Sequence, residues 1–229
     1  MSSFEGRSIV VTGGTGALGS AVCERMLATG AEVHVTWLHE AERERFAHAD
    51  RCTMHRVELT DEADVTSLYR EVGIPWASIH VAGGFAMGPI EEMSLDDFAA
   101  MHRMNTVTSF LCCREAVRAM RRGGKGGRIV NVGARPAVEP VGGMIAYTTS
   151  KAGVTSLTRC LAKEVASDSI LVNAILPSIM DTPANRSAMP DADFDTWPKL
   201  DEVSETIAFL ASPDNTLTTG TLVPVYGLA

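Results

Sequence analysis

The sequence has little that would suit a membrane protein, a nucleic-acid binder or a secreted protein. No run approaches the ~20 apolar residues of a membrane span, and the N-terminus has neither a cationic region nor an apolar region typical of a signal peptide. Acidic residues outnumber basic ones by 28 to 20, and the basic run at 118–125 is short and broken by glycines. We therefore expect a cytoplasmic protein that binds neither nucleic acid nor membrane.

Residue patterns that bind metals or form disulfides are also missing. The five cysteines form an odd number with no C-x-x-C spacing, so we expect them to be reduced and mostly buried. Asp191, Asp193 and Asp195 resemble the start of a calcium loop, but Thr196 stands where that loop needs glycine. The histidines include no pair at i,i+4 spacing. We expect no metal site.

What the sequence does contain is an alternation of short apolar runs with helix-length segments. Helices are predicted at 20–29, 94–121, 146–167 and 201–211, the second beginning at a capping box formed by Ser94 and Asp97. Strands are predicted at 8–12, 32–37, 52–57, 79–81, 128–132, 170–176 and 221–225. The alternation is typical of βαβ units, and we predict a single α/β domain, 1–229, around a doubly wound, mainly parallel sheet.

A glycine-rich turn joins the first strand to the first helix. It reads Thr12-Gly13-Gly14-Thr15-Gly16-Ala17-Leu18-Gly19. Glycines let the backbone turn tightly and approach a pyrophosphate, which then lies at the positive end of the following helix. Because the turn follows a predicted strand and precedes a predicted helix, we interpret it as the dinucleotide-binding loop of a Rossmann fold.

Tyr147 and Lys151 stand four residues apart near the start of a predicted helix. At this spacing both side chains lie on one helix face. An ammonium group beside a phenol favours the phenolate, so we expect the pKa of Tyr147 to fall below its usual ~10. Tyr147 would then be a proton donor at neutral pH. Together with the glycine-rich turn, the pair predicts redox chemistry on a nucleotide cofactor.

These motifs resemble those of the short-chain dehydrogenase/reductase family over nearly the whole chain. The resemblance also rests on Ala82-Gly83-Gly84, Asn105, Val172-Asn173-Ala174, Pro177, Thr182 and the segment 220–227. It implies that Tyr147 is the catalytic acid/base, that Lys151 lowers its pKa and holds the nicotinamide ribose, and that Asn105 anchors a water in the proton relay. It further implies a homodimer or homotetramer built on the long helices that begin near Ser94 and Ala146.

The same resemblance implies a set of cofactor contacts. Thr182 would hold the nicotinamide carboxamide, and Glu58 with Leu59 would lie at the adenine. His80, at the carboxyl end of the fourth strand, is expected near the cofactor. The full set of cofactor-binding positions comprises Gly13, Thr15, Gly16, Leu18, Gly19, Trp37, Glu58, Leu59, Ala82, Gly83, Gly84, Tyr147, Lys151, Pro177 and Thr182.

Departures from the family pattern concern the substrate. Ala134 stands thirteen positions before Tyr147, where most members have a Ser that hydrogen-bonds the substrate carbonyl. With the segments 132–135, 143–147 and 181–194, this is similar to the dihydropteridine reductase branch. We expect hydride transfer from NAD(P)H to an activated carbonyl or quinonoid small molecule, dihydropterin-like acceptors included. The substrate pocket would include Phe85, Ala134 and Met144, with a substrate loop at about 178–200. The alternative is a non-catalytic NAD(P)-binding sensor or scaffold.

Cofactor preference depends on the residue at the end of the second strand. An acidic residue there binds the ribose hydroxyls of NAD, whereas a basic one accommodates the 2′-phosphate of NADP. This chain has Trp37, which places no carboxylate there and could equally pack against the adenine, and His39 or Arg43 nearby could supply positive charge. We therefore favour NADP(H) over NAD(H), although dihydropteridine reductases characteristically carry Asp here and prefer NADH.

Overall fold

A seven-stranded parallel sheet forms the centre of the computed structural model, which describes residues 3–228. The strand order is β3-β2-β1-β4-β5-β6-β7, and every neighbouring pair is parallel. The prediction of a doubly wound parallel sheet is therefore confirmed. The strands are Ser8–Thr12 (β1), Glu32–Trp37 (β2), Thr53–Arg56 (β3), Ala77–His80 (β4), Gly127–Val132 (β5), Ile170–Pro177 (β6) and Leu222–Val225 (β7).

Helices cover both faces of the sheet, which explains why the central strands β1, β4, β5 and β6 are buried along almost their whole length. On one face α1 and α8 pack against β1, β2 and β4, and on the other α3, α5 and α6 enclose a second apolar cluster. The helices are Ala17–Ala28 (α1), Glu40–Arg45 (α2), Glu62–Val72 (α3), Leu95–His102 (α4), Thr108–Gly123 (α5), Ile145–Glu164 (α6), Pro183–Ala188 (α7) and Leu200–Ala211 (α8).

Side-chain caps fix where two of these helices begin. At α4 the Ser94 hydroxyl accepts from the Asp97 N–H at 3.1 Å, and the Asp97 carboxylate accepts from the Ser94 N–H at 3.3 Å. The predicted capping box is confirmed. Helix α3, which we did not predict, begins at Asp61, whose carboxylate accepts from the N–H groups of Ala63 and Asp64. It ends at Gly73, whose φ of +84° few other residues adopt.

The long helix predicted at 94–121 contains a π-helical turn at Arg103–Val107, between α4 and α5. Within it the Thr108 N–H reaches back five residues to the carbonyl of Arg103. A π turn fits one extra residue into the helix, and such turns are frequent at functional sites. Asn105 lies inside it.

The structure also bears on the compositional predictions. All five cysteines are free, and three of them, Cys23, Cys112 and Cys113, are buried. The prediction of unbridged, mostly buried thiols is confirmed. Among residues 3–228 no helix is both long and apolar enough to cross a membrane.

Candidate functional site

Most of the predicted site residues come from segments at the carboxyl edge of the sheet. The glycine-rich turn follows β1, Ala82 to Phe85 follow β4, Gly133 and Ala134 follow β5, and the segment 178–182 follows β6. Strand order reverses between β1 and β4, and ligands of doubly wound sheets bind in the crevice beside such a reversal.

The glycine-rich turn is shaped to receive an anion. Gly13 has a φ of +64°, and a Cβ at this position would lie 2.7 Å from the Cα of Ala82. A Cβ at Gly19 would overlap the carbonyl oxygen of Gly13. At the N-terminus of α1, Gly16 provides no side-chain cap, and the first turn has no acidic residue. The N–H groups at this helix end therefore suit a pyrophosphate.

Two other turn residues differ in their surroundings. Leu18 is buried and packs into the core beneath the turn. Thr15 is half-buried, and its hydroxyl donates to a carboxylate oxygen of Glu42 on α2 at 3.5 Å. Sequence reasoning missed Glu42, because the contact depends on how α2 folds back towards the turn.

Trp37 ends β2 and is half-buried. The guanidinium of Arg43 lies 5.5 Å from the centre of the indole ring. Arg43 also forms an ion pair with Glu40 at 2.6 Å. Among the described residues, Arg43 is the one cation that lies over the Trp37 ring, and it is already paired with the carboxylate of Glu40.

The segment after β3 uses its polar groups locally. The Glu58 carboxylate accepts from the backbone N–H of Thr60 at 3.0 Å and from its hydroxyl at 2.7 Å. Leu59 is partly buried against the cluster under α3 and α5. Both residues follow a strand that ends at the same edge of the sheet, next to β2.

Asn105 joins three parts of the site. Its side chain accepts from the Gly84 N–H at 3.0 Å and donates to the Gly84 carbonyl at 3.1 Å and to the Ser150 hydroxyl at 3.0 Å. A Cβ at Gly83 would lie 2.5 Å from the Asn105 amide oxygen and 3.2 Å from Lys151 Nζ. The fully buried Asn105 thus ties the loop after β4 to α6, and only glycine fits at position 83.

Tyr147 and Lys151 lie one turn apart on α6, with Lys151 only 5% exposed. Lys151 Nζ donates to the carbonyl of Val132, the last residue of β5, at 2.9 Å. Burial lowers the pKa of Lys151 to about 8 and raises that of Tyr147 to about 12. The expectation that Lys151 depresses the pKa of Tyr147 is wrong for the chain by itself, because loss of hydration of the phenolate dominates. The phenol is consequently protonated at neutral pH.

The three residues predicted to line the substrate pocket are apolar. Ala134 is buried directly after β5, and Met144 is half-buried at the start of α6. The ring of Phe85 contacts Tyr147 edge to face, with ring centroids 4.9 Å apart and planes at 77°.

Beyond β6, the segment 178–200 carries α7 and is held together by charge. Asp181 binds the guanidinium of Arg186 and accepts from Lys199 Nζ at 2.8 Å, and these partners hold the pKa of its carboxyl far below the usual value. Thr182 caps α7, accepting from the Asn185 N–H at 3.1 Å. Pro177 ends β6 just before this segment.

Aspartates in this segment serve local structure. Asp193 accepts from the N–H of Asp195 at 3.1 Å and caps a short 3-10 turn. No group of three or more His, Cys, Asp or Glu side chains within residues 3–228 is arranged to hold a metal ion.

His80 lies at the carboxyl end of the fourth strand, as expected. Its side chain is fully buried and bonds to Asn131 at 2.8 Å, Ser78 at 2.8 Å and Tyr69 at 3.3 Å. Burial lowers the pKa of His80 to about 4. The imidazole belongs to the interior under α3 and α5, where protein groups engage both ring nitrogens. That His80 lies near the cofactor stays a prediction.

Comparison with known proteins agrees with this geometry. A family model described as short chain dehydrogenase matches residues 7–193. The chain is 29% identical to 2,3-dihydroxy-2,3-dihydro-p-cumate dehydrogenase of Pseudomonas putida, over 98% of this chain and 94% of that protein. It is 31% identical to 2,5-dichloro-2,5-cyclohexadiene-1,4-diol dehydrogenase of Sphingobium indicum, over 89% and 84% of the two chains.

Among solved structures, a dehydrogenase/reductase from Sinorhizobium meliloti is similar with a TM-score of 0.85 and 26% identity. The match covers 98% of this chain and 95% of that one. Since the family model spans most of the sequence and the fold agrees throughout, the chain belongs to the short-chain dehydrogenase/reductase family and is an NAD(P)-dependent oxidoreductase.

Proposed function

We propose that this enzyme reduces activated carbonyl or quinonoid small molecules, with Tyr147 as proton donor. The observation that carries the proposal is the placement of Tyr147, Lys151 and Asn105 around the loop after β4, with Ala134 in place of a second hydroxyl donor. The site thus offers one proton donor and no further hydroxyl from position 134.

In this proposal each part of the chain has one task. The glycine-rich turn binds the pyrophosphate, Thr182 the nicotinamide carboxamide and Lys151 the ribose hydroxyls, while Asn105 holds the loop and the relay in place. When bound, the dihydronicotinamide supplies a hydride and is itself oxidised. The hydride would bond to the carbon of a carbonyl acceptor or to an electron-deficient ring atom of a quinonoid acceptor. The Tyr147 hydroxyl gives its proton to the oxygen or nitrogen that gains negative charge, and the phenolate regains a proton from solvent.

Ala134 decides the electronic class of the acceptor. Loss of one donor to a developing oxyanion typically costs ~2.7–4 kcal/mol, so unactivated ketones should react poorly. A quinonoid ring is better suited because reduction restores conjugation and leaves mainly a protonation. Likeness to the dihydropteridine reductase branch at 132–135, 143–147 and 181–194 supports a dihydropterin-like acceptor. The two named relatives act on unsaturated six-membered ring diols, which supports a cyclic substrate.

We further propose that NADP(H) is favoured over NAD(H). Trp37 places no carboxylate at the end of β2, and Arg43 lies over its ring, although the carboxylate of Glu42 at Thr15 disfavours the 2′-phosphate of NADP.

We also propose a homodimer or homotetramer across the long helices, where Met104, Val107 and Phe110 are exposed. The five free thiols favour action in the reducing cytoplasm.

The decisive experiment compares acceptors in the wild type and in Ala134→Ser. Purified protein is first titrated with NADPH and NADH, and tighter binding of NADPH is expected. We then expect kcat/KM to be highest for a quinonoid dihydropterin or an activated quinone and lowest for a simple ketone. Ala134→Ser should raise the ketone rate by at least ~10-fold, since it restores part of the lost donor. A wild type that prefers the simple ketone would refute the proposal.

A further inference from the structure

Phe85 contacts the proposed proton donor and is nevertheless 56% exposed. The edge-to-face contact with Tyr147 is a geometry that aromatic pairs prefer. The ring of Phe85 therefore has one part against the catalytic phenol and another part open to a molecule in the site.

Backbone hydrogen bonds hold Phe85 in place from both sides. Before it, Gly84 makes two hydrogen bonds to the side chain of Asn105. After it, the Gly88 N–H donates at 2.8 Å to the carbonyl of Gly143, which lies just before α6, the helix that carries Tyr147. A segment already fixed at 84 and 88 loses little conformational freedom when a ligand binds.

The two chain segments that flank the Phe85–Tyr147 contact carry no charged side chain, and the ammonium of Lys151, one helical turn beyond Tyr147, is buried and donates to the carbonyl of Val132. Neither segment 81–90 nor segment 140–150 contains Asp, Glu, Lys, Arg or His. Met87 and Ile90, on the same segment as Phe85, are also exposed. Arg135, beside Ala134, is already engaged by Glu139 at 2.7 Å. An anionic substrate would find little compensation for its desolvation here.

We propose that Phe85 is a stacking platform that selects planar, uncharged ring acceptors. The proposal rests on the reductase function proposed above and narrows it, since aliphatic diketones and anionic rings are excluded from the preferred class. A flat ring stacked on Phe85 lies next to the Tyr147 hydroxyl. Edge-to-face and offset contacts of this kind are sensitive to flatness, whereas general apolar burial is not.

Binding of redox-inert probes tests this platform separately from turnover. The probes are 1-naphthol, its saturated analogue decahydro-4a-naphthol, a tertiary alcohol with no hydride to transfer, and the anionic 1-naphthalenesulfonate, titrated calorimetrically into protein saturated with NADP⁺. The wild type should bind 1-naphthol at least about 5-fold more tightly than either other probe. Phe85→Ala should weaken 1-naphthol binding by about 3- to 10-fold, the range expected for one aromatic contact.

Two further variants control for apolar area and for aromatic content. Phe85→Leu keeps apolar surface and should lose the preference for the planar probe over the saturated one. Phe209→Ala removes a half-exposed ring from α8, on the opposite face of the sheet, and should leave every affinity unchanged.

The stacking role is overturned if Phe85→Ala, with NADP⁺ binding intact, binds 1-naphthol as tightly as the wild type. It is equally overturned if the wild type binds the saturated analogue as well as 1-naphthol. Failure of the reductase function has a different signature, namely NADPH binding without reduction of any acceptor, and the naphthol series still decides the role of Phe85 in that case.

Discussion

Two clusters of polar groups centre on β4, β5 and α6. One is closed within the protein interior, and the other is open at the edge of the sheet. The core cluster consists of Tyr69, Ser78, His80, Asn131 and Thr158, and its hydrogen bonds all close within the protein. The edge cluster consists of Gly84, Asn105, Ser150, Lys151 and Tyr147, and it reaches a half-buried phenol. A buried network that closes on itself stabilises the sheet, and one that is open at the edge is available for chemistry.

Hydrogen-bond directions in the core cluster follow from one another. The Asn131 amide nitrogen donates to Thr158, so its oxygen faces His80 and must accept from the imidazole Nδ1. His80 Nε2 then accepts from the hydroxyl of Ser78 or Tyr69. This arrangement requires a neutral ring, in agreement with the low pKa of His80.

The largest expected effect separates the clusters through their two tyrosines. Tyr147→Phe removes the proposed proton donor with little change of shape, so kcat should fall by at least ~10²-fold while cofactor affinity and stability remain near wild type. Tyr69→Phe, the matched control, should leave kcat within about 3-fold and lower the free energy of unfolding by ~1–3 kcal/mol, because its hydroxyl is a buried hydrogen-bond partner. Steady-state kinetics and urea denaturation give both quantities, and equal kinetic losses would erase the distinction between the clusters.

Acid should destabilise the protein through the core cluster. The pKa of His80 is about 4 in the folded chain and near 6.5 when unfolded, so between these values the unfolded chain binds the extra proton. Stability is thus lost as pH falls from about 6.5 to 4, by about 3 kcal/mol in total. In His80→Asn this contribution should disappear, so its stability should decline less between pH 7 and pH 4.

Urea midpoints of the wild type and His80→Asn across that range provide the measurement. Other carboxylates titrate in both proteins, and the difference between the two curves isolates His80. If the urea midpoints of the two proteins vary with pH in parallel, protonation of His80 costs no folding stability, and the core cluster is less tightly hydrogen-bonded than described.

Alkali should act on the edge cluster, with a smaller effect. With a pKa of about 8, Lys151 is mostly charged at pH 7 and about 10% charged at pH 9. Since its ammonium is proposed to bind the ribose hydroxyls, affinity for NADPH should fall by up to ~10-fold between these pH values. Lys151→Arg stays charged throughout, so its affinity, although lower, should not vary with pH in this range. Fluorescence titrations at several pH values test this, and a flat wild-type profile contradicts it.

The sequence predicts most of the scaffold because the relevant signals are local. For β1 and β2 the apolar runs and their flanking glycines give the same bounds as the structure. For β4 we predict 79–81 and find 77–80, because Ser78 looks unsuitable for a buried strand until Tyr69 and His80 satisfy its hydroxyl. That information lies in contacts between distant segments.

The sequence predicts which residues form the candidate site better than it predicts their pKa values and charged neighbours. The motifs identify Tyr147, Lys151 and Asn105, and the structure brings all three to the same loop. Neither the raised pKa of Tyr147 nor the contact of Glu42 with Thr15 could be read from spacing. Both depend on how completely the folded chain removes water from a group and on where helix α2 lies.

The π turn at Arg103–Val107 makes the site depend on the number of residues in its helix as well as on their identity. A regular α-helix of the same path would hold one residue fewer, and each residue rotates the helix by about 100°. Deletion of a single residue there would rotate the side of the helix that bears Asn105 away from Gly84 and Ser150, although every sequence motif would still be present. In this family member, therefore, an alignment gap inside that turn is as informative about the geometry of the candidate site as a changed side chain.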